Sequence, residues 1–313
     1  MTTYILRRLG TGVILALLVT FITFMLLSTS FEDVARTILG PSATPETVAA
    51  LMQARGWDRP AIVQYGDWLL HALQGDFGQS VYTSLPVLPS VLQRLAVTLA
   101  LIVPALALTV VLSTVLGVWA ASRGGFVDRF AQGISLVGYL IPALLLAIGL
   151  VVIFAVQLKW LPATGYTPPT EDLGGWVRSI TIPVIVLTIG GVANMAAQVR
   201  GRMIDELRRD YVRTLRTRGI SSKSIVLKHA LRGAGGPALT VMSLEFIQMF
   251  GGALIIENVF ALPGYGSFAF NASLQGDIPV ILGVAAWSVI LVTVVNLATD
   301  LANGWLNPRA RVN

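Results

Sequence analysis

The sequence predicts an all-α polytopic membrane protein. It should have six transmembrane helices, an extracytoplasmic segment after the first, and cytoplasmic helices between the fourth and fifth. Three observations predict this. Of 313 residues, 55% are hydrophobic and 12% charged, where a soluble domain carries about 25% charged residues. Apolar runs close to the ~20 residues that cross a bilayer recur along the chain. Sixteen of the 22 Lys and Arg residues fall in the segments that six spans place on one side, and the positive-inside rule makes that side cytoplasmic. The net charge of +6 therefore belongs to membrane-flanking segments and is no nucleic-acid signal. The absence of Cys excludes disulfides, thiolate metal sites and Cys nucleophiles. His71 and His229 lie far apart and offer no metal cluster.

The first span runs from about Leu9 to Leu27, behind Arg7 and Arg8. A signal peptide would have a shorter apolar region of roughly 7–15 residues and a small-residue cleavage site. Residues 1–29 are thus the N-terminus and a retained first helix. Residues 30–93 form a polar segment with more acids than bases. In it, Thr44 and Pro45 start a helix that Gly56 ends, and Asp58 and Pro60 start another that Gly75 ends. Trp57, Tyr65, Trp68 and Phe77 are residues suited to a membrane interface. Residues 94–313 hold the other five spans, and both termini are cytoplasmic. These spans run from about Leu95 to Ala120 with Pro104, Phe130 to Val156 with Pro142, Ile182 to Val199, Ala238 to Val259, and Val280 to Leu301. Prolines inside spans kink helices and are tolerated there.

The one long polar block, residues 200–236, lies between the fourth and fifth spans. It and its closing Pro237 hold ten bases against the acids Asp205, Glu206 and Asp210. Leu207, Tyr211 and Leu215 recur at the spacing of one helix face. Gly219 suits a left-handed helix end, and Ser221 can cap a second helix with Ile220 stapled on Ile225. Ile225 and His229 share a face, and Gly233, Gly235, Gly236 and Pro237 break that helix. A basic loop could serve topology alone, but an apolar stripe on it calls for a partner surface.

Within the spans, acids are costly and face a cavity or a partner. Glu257 lies near the outer end, where a capping or hydrogen-bonding role beside Pro263-Gly264 fits. Glu245 shares a face with Gln248, Met249 and Gly252. That face suits the inner mouth of a translocation path, or else a hydrogen bond to a neighbouring helix. No phosphate-binding G-x-x-x-x-G-K-[ST] loop occurs. No His/Asp/Glu cluster at catalytic spacing supports a membrane enzyme.

Four blocks in order, GWDRPAIVQYGDWLLHALQGDFGQS, VQLKWLPATGY, DYVRTLRTRGISSKSIVLKHALRGAGGPALT and GGALIIENVFALPGYG, resemble the permease subunit of dipeptide/oligopeptide-type ABC importers, in its B-type. The match covers nearly the whole chain. Arg213, Thr214 and Leu215 replace the general importer's Glu-Ala-Ala, and His229, Ala230, Leu231 and Arg232 replace its Ile-x-Leu-Pro, as the peptide branch commonly does.

The resemblance implies a cytoplasmic (inner) membrane subunit that is not an enzyme and binds no cofactor. ATP and Mg would sit on two partner ATPase subunits. The other implied partners are a second, unlike permease, an extracytoplasmic substrate-binding protein, membrane lipid and a peptide substrate, with no nucleic acid. The implied coupling residues are Tyr211, Leu215, Arg216, Arg218, Gly219, Ile220, Ile225, His229 and Leu231. Ile225 and Leu231 would be apolar contacts, with Arg216 and Arg218 on the rim. Glu245, Gln248, Met249 and Gly252, taken from their shared face, are the candidate path residues. Similar permeases carry nickel complexes or glutathione. The rival class is an ion-coupled secondary transporter. Six spans, no visible inverted repeat and the long loop argue against it.

Overall fold

The computed structural model describes the backbone from Thr2 to Leu306, and nearly all of it is helical. In order, the first helices are α1 (Thr2–Ser28), α2 (Phe31–Leu39), α3 (Pro45–Arg55), α4 (Ala61–Ala72), α5 (Val87–Arg123), α6 (Gly125–Leu140) and α7 (Ala143–Leu150). Then follow α8 (Leu173–Leu207), α9 (Asp210–Thr217), α10 (Ser222–Ser224), α11 (Leu231–Val259), α12 (Tyr265–Gln275) and α13 (Ile278–Leu306). π-helical turns at Val151–Gln157 and Ile225–Ala230 prolong α7 and α10. The C-terminal bases Arg309 and Arg311 lie outside the described residues.

Among the described residues, five helices are long and apolar enough to cross a membrane: Tyr4–Ser28, Val87–Arg123, Leu173–Leu207, Leu239–Val259 and Ile278–Gly304. The chain is therefore a multi-pass membrane protein. The third expected span is not one kinked helix. Gly125–Leu140 and Ala143–Gln157 meet at 94° and make a sixth crossing only if taken together. Pro142 explains the break. Its ring drives the preceding Ile141 to an extended ψ of 118°, where the helix stops.

The chain divides into two compact units, residues 1–97 with 263–294, and residues 98–262 with 295–313. In the first, Thr44 caps α3 as expected, its Oγ1 accepting from the Thr47 N–H at 3.3 Å. Gly56 ends the helix at φ 67°. Several of the aromatics pack together. Phe24, Phe31 and Tyr65 form a core with Ile278 and Leu282, against which Trp57 and Trp68 pack. Phe31 stacks on Trp57 at 5.1 Å. The Tyr65 hydroxyl shares a 3.0 Å hydrogen bond with Thr20 Oγ1. Asp277, buried ahead of α13, accepts from Ser80 Oγ at 2.5 Å and from the Val81 N–H at 3.2 Å. This fastens the loop after α4. A segment of polar sequence is thus ordered by a small aromatic core that sequence periodicity does not show.

The second unit packs α6, α7 and α11 around α8, and its core includes Met195, Val199, Met203, Ala230, Ala234 and Val241. Two boundaries differ from expectation. Arg200 and Arg202 belong to α8, so the polar loop starts at Arg208. Residues 233–237 do not break the next helix, whose backbone runs without interruption from Ser222 to Val259. A glycine costs a helix only about 1 kcal/mol, and the packing of Ala230, Ala234 and Val241 in that core overrides it.

The approach of α5 to α8 requires Gly117. A Cβ there would lie 2.8 Å from Val199 Cγ1 and 3.0 Å from the Ala196 carbonyl oxygen. Small residues permit such contacts between membrane helices. Gly117→Ala is expected to lower stability by about 1–3 kcal/mol, read as a lower unfolding temperature in detergent. Gly190→Ala, whose Cβ meets nothing within 4 Å, should leave that temperature unchanged.

Candidate functional site

The basic block is organised around a buried carboxylate. Glu206, in the last turn of α8, is 6% exposed. It accepts from the Tyr211 hydroxyl at 2.9 Å and pairs with Arg209 Nε at 3.1 Å. At Gly233, in the first turn of α11, a Cβ would lie 2.6 Å from Glu206 Cδ. A single acid therefore ties the end of α8 to the start of α9, at a point where the first turn of α11 passes close by. Burial, then the Glu206 hydrogen bond and charge, push the Tyr211 phenol up to about 12. It remains a proton donor at any physiological pH. Arg200 is likewise not a free loop cation, because both its Nε and its Nη2 donate to Asp128 on α6.

The turn between the helices has the expected chemistry. Gly219 takes φ 76°, a conformation that costs an L-residue of order 1–2 kcal/mol. Its N–H donates to the Arg216 carbonyl at 3.0 Å, and the Ile220 N–H donates to Leu215 at 3.1 Å. These two bonds satisfy carbonyls at the end of α9. Ser221 caps the next helix, accepting from the Ser224 N–H at 3.4 Å.

The apolar stripe is arranged differently from its periodicity. Leu207 ends α8, and the chain turns at Arg208 and Arg209 before Tyr211 and Leu215 enter α9. The three do not form one helix face. Val212, not Tyr211, is the fully buried residue of α9. Ile225 is 1% exposed, so it packs within this chain, while His229 is exposed. The π-turn separates their environments, because its wider pitch breaks i, i+4 alignment. Leu231 packs on the Met195–Met203 core. Arg216, Arg218 and Gly219 are exposed, and Leu215 and Ile220 are half-buried.

The polar face of α11 also divides. Glu245 is buried and accepts from Asn194 Nδ2 of α8 at 2.8 Å. Gln248 is exposed and accepts more weakly from the same amide at 3.4 Å. Met249 is buried, 2.6 Å from where a Cβ on Gly191 would stand. Gly252 is half-buried. Gln198 donates to Asn194 Oδ1 at 3.4 Å, which extends the ladder along α8. A cavity of about 420 Å³ lies beside it, with Gln132, Asn194 and Arg200 in its wall. Glu257 is fully buried and accepts from Thr98 Oγ1 at 2.5 Å.

Glu206, Asn194 and Val212 carry no periodic signal in the sequence. Asp128 and Arg200 stand 72 positions apart. The presence of an acid amid ten bases was the available clue to Glu206. Gly233→Ala is expected to displace Glu206 and free α9. Amide hydrogen exchange over residues 208–221 should rise at least several-fold, with Gly201→Ala, where a Cβ meets nothing within 4 Å, as the unchanged control.

Comparison with known proteins follows from this geometry. Residues 113–312 match the family described as binding-protein-dependent transport system inner membrane component, and residues 1–113 match that component's N-terminal family. A relative in Sinorhizobium fredii described as "Probable peptide ABC transporter permease protein" is 37% identical over 99% of this chain and 100% of its own. The metal-staphylopine import system permease protein of Staphylococcus aureus is 34% identical over 98% of each chain. The MetNI methionine ABC transporter, in an inward-facing crystal form, has a chain of similar fold with TM-score 0.54 and 16% identity. The likeness covers 69% of this chain and 96% of that one.

Proposed function

Because this chain belongs to the binding-protein-dependent transport system inner membrane component family, the permease subunits of ABC importers, we propose that it forms half of a translocation path for di- and oligopeptides across the cytoplasmic membrane. It is a transport subunit and not itself an enzyme. ATP and Mg act on two partner ATPase subunits, a substrate-binding protein delivers cargo from outside, and a second, unlike permease supplies the other half. The alternative of an ion-coupled secondary transporter has no support from the family. A second cargo reading, an organic metal chelate, rests on the staphylopine permease relative.

One observation carries the coupling role. Gly219 joins the exposed side of α9 to a helix that continues unbroken from Ser222 to Val259. Gln248 lies 26 residues beyond Ser222, about 39 Å along that helix. In this reading a push on α9 passes through the Gly219 turn and along that helix to its polar face. The ATPase contacts are Leu215, Arg216, Arg218, Ile220 and His229, with Tyr211 at their edge. Ile225 and Leu231 act from inside by bracing the helix. Gln248 and Gly252 line the path, Glu245 orients Asn194 beside it, and Met249 packs the helix against α8. In this reading α6 and α7 form one broken span, which makes six, and both termini are cytoplasmic.

Topology is tested by single Cys residues in intact cells. Cys at Gln53 should react with a membrane-impermeant thiol reagent, and Cys at Thr217 should not. The reverse pattern would overturn the orientation.

Coupling is tested by reconstituted uptake beside ATPase co-purification. Gly219→Val should insert normally yet lose ATP-driven uptake by tenfold or more, through a backbone penalty of order 1–2 kcal/mol plus misdirection of α9. Gly219→Asn, which tolerates the left-handed region, should retain most uptake. Reversing Arg216 and Arg218 to Glu should make ATPase association slower and weaker. Full uptake in the Val variant would reduce the segment to a topogenic loop.

A further inference from the structure

We propose that the second unit carries a binding site for an anionic phospholipid. The site is a cleft of about 690 Å³ between the C-terminal end of α5 and the segment after Ser221. The proposal requires that α5 spans the membrane, and it is independent of which cargo is carried.

The walls are apolar and uncovered. Val115 is 61% exposed, Trp119 42% and Leu227 48%, and Leu231 closes the base. The mouth is cationic. Arg123, in the last turn of α5, and Lys223, in α10, both line the cleft, as do Ser122 and Ser222. No acid lines the cleft, and among the described residues neither cation forms an ion pair or a side-chain hydrogen bond. Two cations lining one cleft that holds no acid favour an anion there.

The apolar strip identifies that anion as a lipid. Leu108, Leu112, Val115 and Trp119 are all exposed and recur at 4, 3 and 4 residues on α5, the spacing of one helix face. The strip runs about 16 Å along the helix from Trp119 to Leu108. Arg123 lies about 6 Å beyond Trp119. A phosphodiester headgroup between Arg123 and Lys223, with an acyl chain laid along the strip, satisfies both chemistries at once. Basic pockets between membrane helices bind anionic headgroups in this way. A soluble phosphate would leave the strip bare, and a zwitterionic lipid would bring an ammonium toward the two cations. Such a lipid would bridge α5 to the segment leading into α11.

The test uses the assembled transporter purified from nanodiscs and examined by native mass spectrometry, with phosphatidylglycerol and phosphatidylcholine as probes. The wild type should retain phosphatidylglycerol in preference. The double variant Arg123→Gln with Lys223→Gln should hold it about 30-fold more weakly, with an unchanged unfolding temperature in phosphatidylcholine. The swap Arg123→Lys with Lys223→Arg should restore the preference. Equal retention of both lipids by the wild type would overturn the site, as would an undiminished preference in the double variant. Loss of the ATPase subunits from the double variant in pure phosphatidylcholine would also overturn it, by assigning the cleft to a protein contact. None of these readouts depends on uptake, so failure of the peptide reading leaves them intact.

Discussion

A peptide group without a hydrogen-bond partner in hydrocarbon costs several kcal/mol, and the alternatives open to this chain follow from that penalty. Backbone in the apolar phase must pair within its own helix, so helices persist through sequences that would end them in water. Pro104 in α5 and Pro183 in α8 are the clearest cases, since neither ends its helix. The exception is at Pro142, where the preceding Ile141 takes an extended ψ of 118°. There the chain turns by 94° rather than continuing. Side chains obey the same rule. Glu245 is paired with Asn194, Glu257 with Thr98, and Asp128 with Arg200.

The polar block solves a different problem. Outside the membrane the backbone can pair with water, so its shape must be fixed by side chains. Glu206 does this from the end of α8 by holding Tyr211 and Arg209, with Gly233 leaving room for its carboxylate. The arrangement places one buried charge where three segments converge. Most of the basic residues are left at the surface.

The sequence made legible what depends on composition and local spacing. The spans, the Thr44 cap and the Gly219 turn each rest on a few neighbouring residues whose chemistry admits little else. The family blocks extended that reading to a role. What it hid depends on residues distant in the chain. Nothing local marks Asn194 as the partner of Glu245, 51 positions away. The Leu207–Tyr211–Leu215 stripe failed for a related reason, because a two-residue turn preserves the count while changing the helix. Ile225 and His229 were separated by a π-turn, whose extra residue leaves no mark in hydrophobic periodicity.

That π-turn, Ile225–Ala230, holds slack. Its hydrogen bonds skip one residue more than those of an α-helix. The stretch between the Gly219 turn and the buried length of α11 thus contains a residue that the helix can take up or release. Converting the turn to α-helical bonding would rotate everything beyond it by about 100° and shift it by about 1.5 Å along the axis. The polar side chains of α11 would then face a different neighbour, while α9 stayed where it was. Such a joint would stay stiff to bending while it ratcheted, a mechanical distinction that separates transmitting a push from resetting which side of a helix faces its neighbour.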